Sequence, residues 1–234
     1  MQTPTLKTCV LCTANEAVNV AHIPAKMFFA GPLPNNMITV PSCVACNQGI
    51  QQHEEYLRAW LMLLRDSAPS PAVDQVRDRA RRQLDRSNLL RSSFLAASEF
   101  REEVGSDGRS AITPYTRPDR GKIWATLTNY ARGLHFWSSE TILPAGAIPR
   151  IERIFNRGTR PDEYWEPLLA AANFAAGGTT TTVGTHDEFQ LSFRSIELGD
   201  AISVIVMDFY QSFPFVAIML RPGTDINNAV RLPF

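Results

Sequence analysis

The sequence lacks several features that mark common classes of protein. No apolar run reaches the roughly 18 residues that a transmembrane helix needs. The N-terminus has no charged segment followed by an apolar core, as a signal peptide would. Residues 110–234 contain neither a Gly-rich phosphate loop after a strand nor a G-x-S-x-G motif. We therefore expect a cytoplasmic protein with no membrane partner, and the sequence does not predict its oligomeric state.

The chain also lacks net charge, because 23 basic residues balance 23 acidic ones. The charges are nevertheless uneven: residues 61–132 carry 13 basic and 9 acidic side chains, whereas residues 133–234 carry 7 and 11. Twenty of the basic residues are Arg, which binds phosphate bidentately. The Arg residues between Arg77 and Arg91 are interleaved with Asp at helical spacing, which favours a solvated, salt-bridged helix. A phosphate-binding face is the alternative interpretation.

The composition is that of an ordinary globular protein. With 234 residues, 44% of them hydrophobic and 20% charged, the chain can bury a core as one large domain or two small ones. Apolar residues recur at helical spacing over residues 57–64 and alternate as in a half-buried strand over residues 189–193. On such patterns we predict helices over 51–66, 72–86, about 88–104, 123–134 and 161–176, and strands over 18–23, 37–40, 189–193, 202–207 and 213–220. We predict a loop at 105–108, a linker at 114–118 and a turn at 198–200.

Cysteine is scarce, and its placement is the most informative feature of the sequence. The four cysteines form two C-x2-C pairs separated by 30 residues: Cys9, Cys12, Cys43 and Cys46. Each pair places two thiolates on one tight turn, and two such turns complete a tetrahedral zinc shell with Zn–S distances of about 2.3 Å. Because a closed shell leaves no position for water, we expect a structural Zn²⁺. A redox pair and an iron–sulfur cluster are the alternatives.

Three polar residues stand beside these cysteine pairs. His22 lies in the first predicted strand, Asn36 opens the second, and Asn47 directly follows the last cysteine. The ordered motifs, which span about residues 9–58, are Cys9-x2-Cys12, His22-Ile23-x-x-Lys26, Asn36-Met37-Ile38-Thr39-Val40 and Cys43-x2-Cys46-Asn47. Together they make the chain resemble the HNH endonuclease family, the ββα-metal nucleases.

The resemblance implies a fold and a set of roles. In that family a hairpin and a helix hold one divalent cation, here Mg²⁺ or Mn²⁺, which neutralises charge on the phosphate. Carried over, His22 is the general base that deprotonates water, Asn36 orients it, and Asn47 is a metal ligand. The chemistry suits His22, because histidine is the side chain whose unperturbed pKa lies near neutrality.

These predictions give an α+β fold in three parts. Residues 1–66 form an HNH-like ββα module held together by zinc, residues 67–113 a helical, Arg-rich connector, and residues 114–234 an α+β domain with an antiparallel sheet and no assigned role.

One position departs from the family pattern. Where the family places an acidic residue or a second His directly before the general base, this chain has Ala21, which cannot bind a metal. Asn19 is too far along the strand to replace it without a shift. Glu16, His53 and the Glu54–Glu55 pair are other candidates. Three interpretations follow: a rewired metal site, a weak nuclease, or a fold kept for binding after catalysis was lost.

The sequence thus predicts a metal-dependent endonuclease that hydrolyses phosphodiester bonds in nucleic acid, with DNA as the expected partner. The alternatives are an inactive zinc-stabilised protein that binds nucleic acid, and a protein-interaction module. Each site residue also has a structural alternative: His22 as a hydrogen-bonded strand residue, Asn47 as a helix cap and Asn36 as a turn former.

Overall fold

The computed structural model describes residues 7–63, 70–104, 108–153, 162–185, 187–195 and 201–224, with backbone alone at 113–116 and 162–168. It is a mixed α+β structure, as predicted. No helix within these ranges has both the length and the apolar character needed to cross a membrane.

The N-terminal part is a hairpin followed by two helices. Strands β1 (Asn19–Ile23) and β2 (Ile38–Ser42) pair antiparallel and are joined by a loop with a 3-10 turn at Lys26–Phe28. Helices α1 (Val44–Gly49) and α2 (Gln51–Leu63) come next. Both predicted strands are confirmed, but β2 continues through Pro41 instead of ending there. A two-stranded sheet consists of edge strands, which tolerate the missing proline N–H.

The middle of the chain is helical for a shorter stretch than predicted. Helices α3 (Pro71–Arg86) and α4 (Asn88–Ala96) begin at caps Ser70 and Ser87, whose hydroxyls accept backbone N–H bonds. The helix predicted to reach residue 104 ends at 96, and β3 (Ser98–Val104) pairs with β4 (Ser110–Thr116). The predicted linker at 114–118 therefore overlaps the end of β4. The predicted domain boundary between residues 113 and 114 falls inside β4. The segment 98–104 has no alternation that would have marked a strand, since Phe100 to Val104 are all exposed, and its pairing with β4 decides its structure.

Helix α5 (Arg120–Ser139) is the centre of the fold. Its predicted apolar stripe, Ile123, Leu127, Tyr130 and Leu134, is buried. Gly133 faces the hairpin, where a Cβ atom would lie 2.0 Å from Ile23 Cδ1. The missing side chain lets α5 approach β1 closely.

The C-terminal part is a five-stranded antiparallel sheet. Its elements are β5 (Ile148–Arg153), α6 (Asp162–Ala176), β6 (Thr179–Val183), β7 (Phe189–Ser195), β8 (Ala201–Phe209) and β9 (Phe213–Leu220). The strand order is β5-β9-β8-β7-β6. The predicted antiparallel meander is confirmed in β7, β8 and β9, whereas β5 and β6 were not predicted. The predicted turn at 198–200 lies outside the described residues.

One buried cluster connects the N-terminal part to this sheet. It runs from the cysteines through the hairpin, α2 and α5 to one face of the sheet, including Ile205 and Met207. The opposite face of the sheet, with Val204 and Val216, packs against Ala171 and Ala175 of α6. The three-part division of the chain stays a prediction, but the hairpin and the sheet share a core.

Candidate functional site

The four thiols lie together, so they could bind a metal such as zinc. Their sulfur atoms are all within 4.8 Å of one another, and Cys12 Sγ lies 4.0 Å from Cys43 Sγ. A tetrahedral site with metal–sulfur distances of about 2.3 Å has sulfur–sulfur edges of about 3.8 Å. The spacing of the thiols therefore fits a single ion.

Local backbone geometry forms the two cysteine turns. The Thr13 N–H donates to the Cys9 carbonyl at 2.8 Å, and Thr13 has a positive φ of 59°. Cys43 caps α1, and its Sγ accepts the Cys46 N–H at 3.4 Å. Each turn is closed by a bond that spans at most five residues, which explains why sequence spacing alone predicted both.

Hydrogen bonding favours the thiolate form at one end of the cluster. The Cys46 backbone N–H lowers the pKa of the Cys43 thiol to about 6, although burial opposes this effect. Burial raises the pKa of Cys46. Burial lowers the pKa of the Arg132 guanidinium in α5. The nearby Cys12 and Cys46 oppose this effect, which shows that Arg132 lies close to the cluster. A metal would hold all four groups as thiolates, because the thiolate is the ligand form.

A cleft of about 610 Å³ lies beside the hairpin. His22 and Asn47 both line it, as do Lys26 and Glu54. His22 projects from β1, opposite Thr39 of β2, and Asn47 lies in α1 directly after the second cysteine turn. The fold therefore brings together two of the three predicted catalytic residues.

The surroundings of His22 keep its ring neutral. The side chain is half-buried, and burial lowers its pKa below 6.5, with a smaller contribution from the charge of Lys26. Within the described residues no hydrogen bond engages the ring, so the structural alternative of a hydrogen-bonded strand histidine is not seen. A neutral imidazole open to a cleft can accept a proton.

Asn36 lies elsewhere. Its Nδ2 donates to the Thr182 carbonyl at 2.8 Å, and its Oδ1 accepts the Gly184 N–H at 3.1 Å. Both ends of the amide are thus bonded at the end of β6, and Asn36 is not among the residues that line the cleft. In this structure it links the hairpin loop to the sheet and does not orient His22.

Ala21 is buried, with 7% of its surface exposed, and lies opposite Val40 on the core side of the hairpin. Among the candidate replacements, Glu16 forms an isolated bridge with Thr8 and does not line the cleft. His53 does not line it either, whereas Asn19 does. Asn19 is too far along the strand to replace the missing ligand without a shift, so Glu54 is the cleft-lining candidate that remains.

Glu54 is the candidate that sequence reasoning underrated. It is 7% exposed, and its Oε1 accepts the Tyr130 hydroxyl proton at 3.0 Å. Burial raises its pKa to about 7, against the opposing effect of the Tyr130 bond. Strongly perturbed carboxyl groups in clefts are typical of functional sites. The sequence did offer a signal for Glu54: it is an acidic residue on the apolar side of α2, three residues before Leu57.

Residues that follow the hairpin in the chain complete the cleft and hold the hairpin loop. Asn129 and Tyr130 of α5 are part of the cleft wall. Five side chains also bind the backbone of the loop after β1. In chain order the bonds join Ala25 to Tyr130 (3.0 Å), Met27 to Arg58 (3.4 Å), Phe28 to Tyr210 (2.8 Å), Phe29 to Arg79 (3.1 Å) and Ala30 to Glu188 (2.6 Å). Residues far apart in sequence therefore fix the shape of the site.

Two other features lie away from the cleft. In the Arg-rich helix α3, Arg77 pairs with Asp74 at 2.5 Å and Arg81 approaches Asp78 at 4.0 Å, as a salt-bridged helix would. His135 is 2% exposed and lies between Ser203 (2.9 Å) and Thr141 (3.2 Å). Burial lowers its pKa to about 4, so it is a neutral packed histidine.

Comparison with known proteins gave no match: no family model, no curated protein and no solved structure is significantly similar to this chain. Its function is therefore inferred from its residues and their geometry.

Proposed function

We propose that this chain is a metal-dependent endonuclease of the HNH type that hydrolyses phosphodiester bonds in nucleic acid, with DNA as the expected substrate. The observation that carries the proposal is the shared cleft. His22 and Asn47 come from different elements and line the same space, directly beside four clustered thiols. This is the combination that the sequence resemblance implies.

The side chains of the cleft suit this reaction. His22 accepts a proton from water as the water oxygen attacks phosphorus, because its pKa is low enough to leave the ring neutral at pH 7. Lys26 lines the same cleft and places a positive charge where a phosphate would lie. Fixed positive charge stabilises the negative charge that develops on the phosphate oxygens.

Asn47 and Glu54 are the residues that would hold the divalent cation. An amide and a carboxylate offer the oxygen ligands that Mg²⁺ and Mn²⁺ prefer. Glu54 also supplies the acidic group that is missing at Ala21. Its hydrogen bond from Tyr130 occupies Oε1, and no described residue donates to Oε2. When bound, the cation would neutralise charge on the phosphate and the leaving oxygen.

The four thiolates are proposed to hold a structural Zn²⁺. The two cysteine turns flank the hairpin, and Val10, between the first two cysteines, donates its N–H to the Pro41 carbonyl of β2 at 3.1 Å. An ion at the thiols would fix both turns against this hairpin, because a sheet of only two strands is marginally stable by itself.

The test is cleavage of supercoiled plasmid DNA and of RNA by purified, zinc-loaded protein with added Mg²⁺ or Mn²⁺. Wild type is compared with His22→Ala and with Thr39→Ala, which alters the opposite residue of the same hairpin. We expect cleavage by wild type and Thr39→Ala, and at least a hundredfold loss in His22→Ala. Equal cleavage by wild type and His22→Ala would show that His22 is not the base.

A second pair of variants tests the metal ligand. Glu54→Gln keeps an oxygen that can accept the Tyr130 bond but removes the charge, and Glu55→Gln makes the same change at the neighbouring position. Cleavage lost in Glu54→Gln and kept in Glu55→Gln supports Glu54 as the replacement for the missing acidic residue. Full activity in Glu54→Gln would remove Glu54 from the site.

One observation favours a second function, a zinc-stabilised nucleic-acid-binding protein without catalysis. Ala21 presents a buried methyl group where the HNH pattern has a ligand. This alternative predicts no cleavage by any variant, together with salt-dependent binding of nucleic acid that His22→Ala does not change.

A further inference from the structure

A second cleft lies at the end of α2 that is farther from the His22 cleft and at the start of α5, whereas the His22 cleft reaches the middle of α5. It has a volume of about 460 Å³, within the range of about 300 to 1,000 Å³ that small-molecule sites occupy. Along α2 it is reached at Trp60, six residues after Glu54, and along α5 at Trp124, six residues before Tyr130. Six helical residues span about 9 Å, so the two clefts are close but separate.

The lining of this cleft combines aromatic rings with positive charge. Three rings and three charged groups form most of it: Trp60, Trp124, Phe215, Arg120, Arg153 and Glu152. Two guanidinium groups face one carboxylate, so the lining carries an excess of one positive charge. Aromatic surface with positive charge is the combination that binds nucleic-acid bases and phosphates.

Arg153 of β5 provides a fixed charge in this cleft. Only 6% of its surface is exposed. Its guanidinium carbon lies 4.8 Å from the ring centre of Phe213 and 5.6 Å from that of Trp60. A guanidinium held against two rings is restricted in position, so its positive charge stays at the wall of the cleft.

The rim of the cleft adds donors for a phosphate. Arg120, which is exposed, and Gly121 are the first two residues of the 20-residue helix α5, where backbone N–H groups point out of the helix. The cap residue Asp119 is also near, but Lys122 lies 3.4 Å from its carboxylate and offsets its charge. Asp119 Oδ1 accepts the Lys122 N–H at 3.2 Å and lies 3.3 Å from where a Cβ of Gly121 would be, so the N–H groups left for a phosphate are those of Arg120 and Gly121.

We infer that this cleft binds a nucleotide, with the base against the partly exposed indole ring of Trp124 and the phosphate at Arg120 and the start of α5. The nucleotide could be free or an unstacked unit of a strand, and the strand source rests on the proposed nuclease function. Binding is measured by calorimetry without added divalent cation, with adenosine monophosphate as the probe.

Matched variants locate the site. Trp124→Leu is expected to weaken binding roughly tenfold, the loss typical of one base–aromatic stack. Trp137→Leu removes an indole that is 36% exposed on the same helix but outside this cleft, and should leave binding unchanged. Arg120→Ala should weaken binding about threefold, through loss of a charge-assisted bond. Arg117→Ala, which removes the exposed partner of Glu99, should not.

The probes separate the parts of the ligand. We expect adenosine and inorganic phosphate each to bind more weakly than adenosine monophosphate. If a single-stranded hexanucleotide binds more tightly than the mononucleotide, and Trp124→Leu removes this difference, the natural ligand is a unit of a strand. If the mononucleotide binds more tightly than the hexanucleotide, the natural ligand is the free nucleotide. The inference is overturned if millimolar nucleotide gives no heat, or if Trp124→Leu and Arg120→Ala bind as wild type does.

Repeating the titration with His22→Ala separates this inference from the proposed function. If cleavage is never observed but His22→Ala and wild type bind the nucleotide equally, the second cleft stands and the nuclease fails. If wild type cleaves DNA but neither protein binds the nucleotide, the nuclease stands and the second cleft fails.

Discussion

Replacing Glu54 by glutamine is expected to change how the stability of the protein depends on pH. Burial raises the pKa of Glu54 from its ordinary value of 4.5 to about 7 in the folded protein. Between these two values the folded state binds a proton that the unfolded state has released. The contribution of Glu54 to the free energy of unfolding is therefore largest below pH 4.5 and is lost as the pH rises through 7.

The size of the effect follows from the two pKa values. The difference between 4.5 and about 7 corresponds to about 3 kcal/mol between acidic and alkaline conditions. Glutamine has nearly the same shape, and its amide oxygen can accept the Tyr130 hydroxyl at the position of Oε1, 3.0 Å away. Because glutamine does not titrate, Glu54→Gln lacks this loss and becomes the more stable protein at alkaline pH.

The assay is urea unfolding of zinc-loaded wild type and Glu54→Gln at intervals from pH 5 to 9, without added Mg²⁺ or Mn²⁺. The free energy of unfolding of the variant relative to wild type should rise by about 2.5 kcal/mol across this range, because the remainder of the change falls below pH 5. Glu55→Gln, the change at the neighbouring residue, is the control and should give a small, nearly constant difference. A constant difference for Glu54→Gln as well would refute the argument, because Glu54 would then titrate alike in the folded and unfolded states.

Three further predictions concern the parts that hold the site together. Cys43→Ser should abolish stoichiometric zinc binding, measured by elemental analysis, and lower the thermal midpoint, since three thiolates do not complete the shell; retained zinc with an unchanged midpoint would exclude the four-thiolate site. Asn36→Ala should lower the free energy of unfolding by about 1 kcal/mol in urea without reducing cleavage, because its bonds at 2.8 and 3.1 Å reach the sheet and not His22; lost cleavage at unchanged stability would restore its predicted orienting role. Gly178→Ala should destabilise the fold by about 2 kcal/mol or more in the same assay, because the new Cβ would lie 2.2 Å from the Phe193 carbonyl oxygen. Gly49→Ala, whose Cβ meets nothing within 4 Å, is its control, and equal stability of the two variants would contradict the steric argument.

The sequence was most informative where structure depends on a few neighbouring residues. The two C-x2-C turns brought their thiols together as predicted, because each turn is closed by bonds within five residues, such as Thr13 N–H to Cys9 O. The apolar stripe of α5 and the alternation of β7 also gave the correct element type. These patterns record which side of an element faces the core.

Sequence reasoning failed where pairing or distant contacts decide the outcome. Residues 98–104 were assigned to a helix, but they form β3 because β4 supplies antiparallel partners from Ser110 onward. Asn36 stands at the start of a strand in sequence, yet its amide bonds to Thr182 and Gly184, almost 150 residues later. No local pattern reports such a contact.

The sequence by itself determined the thiol cluster, the hairpin that carries His22, and the α+β class, since each follows from short-range spacing and periodicity. Only the tertiary structure decided which groups share a cleft. It buried Glu54 against Tyr130, 76 residues away, and so raised its pKa. It also brought Trp60 and Trp124 to one cavity with Arg153. Burial and electrostatic environment arise from all elements packed around a group, and therefore exist only once the chain has folded.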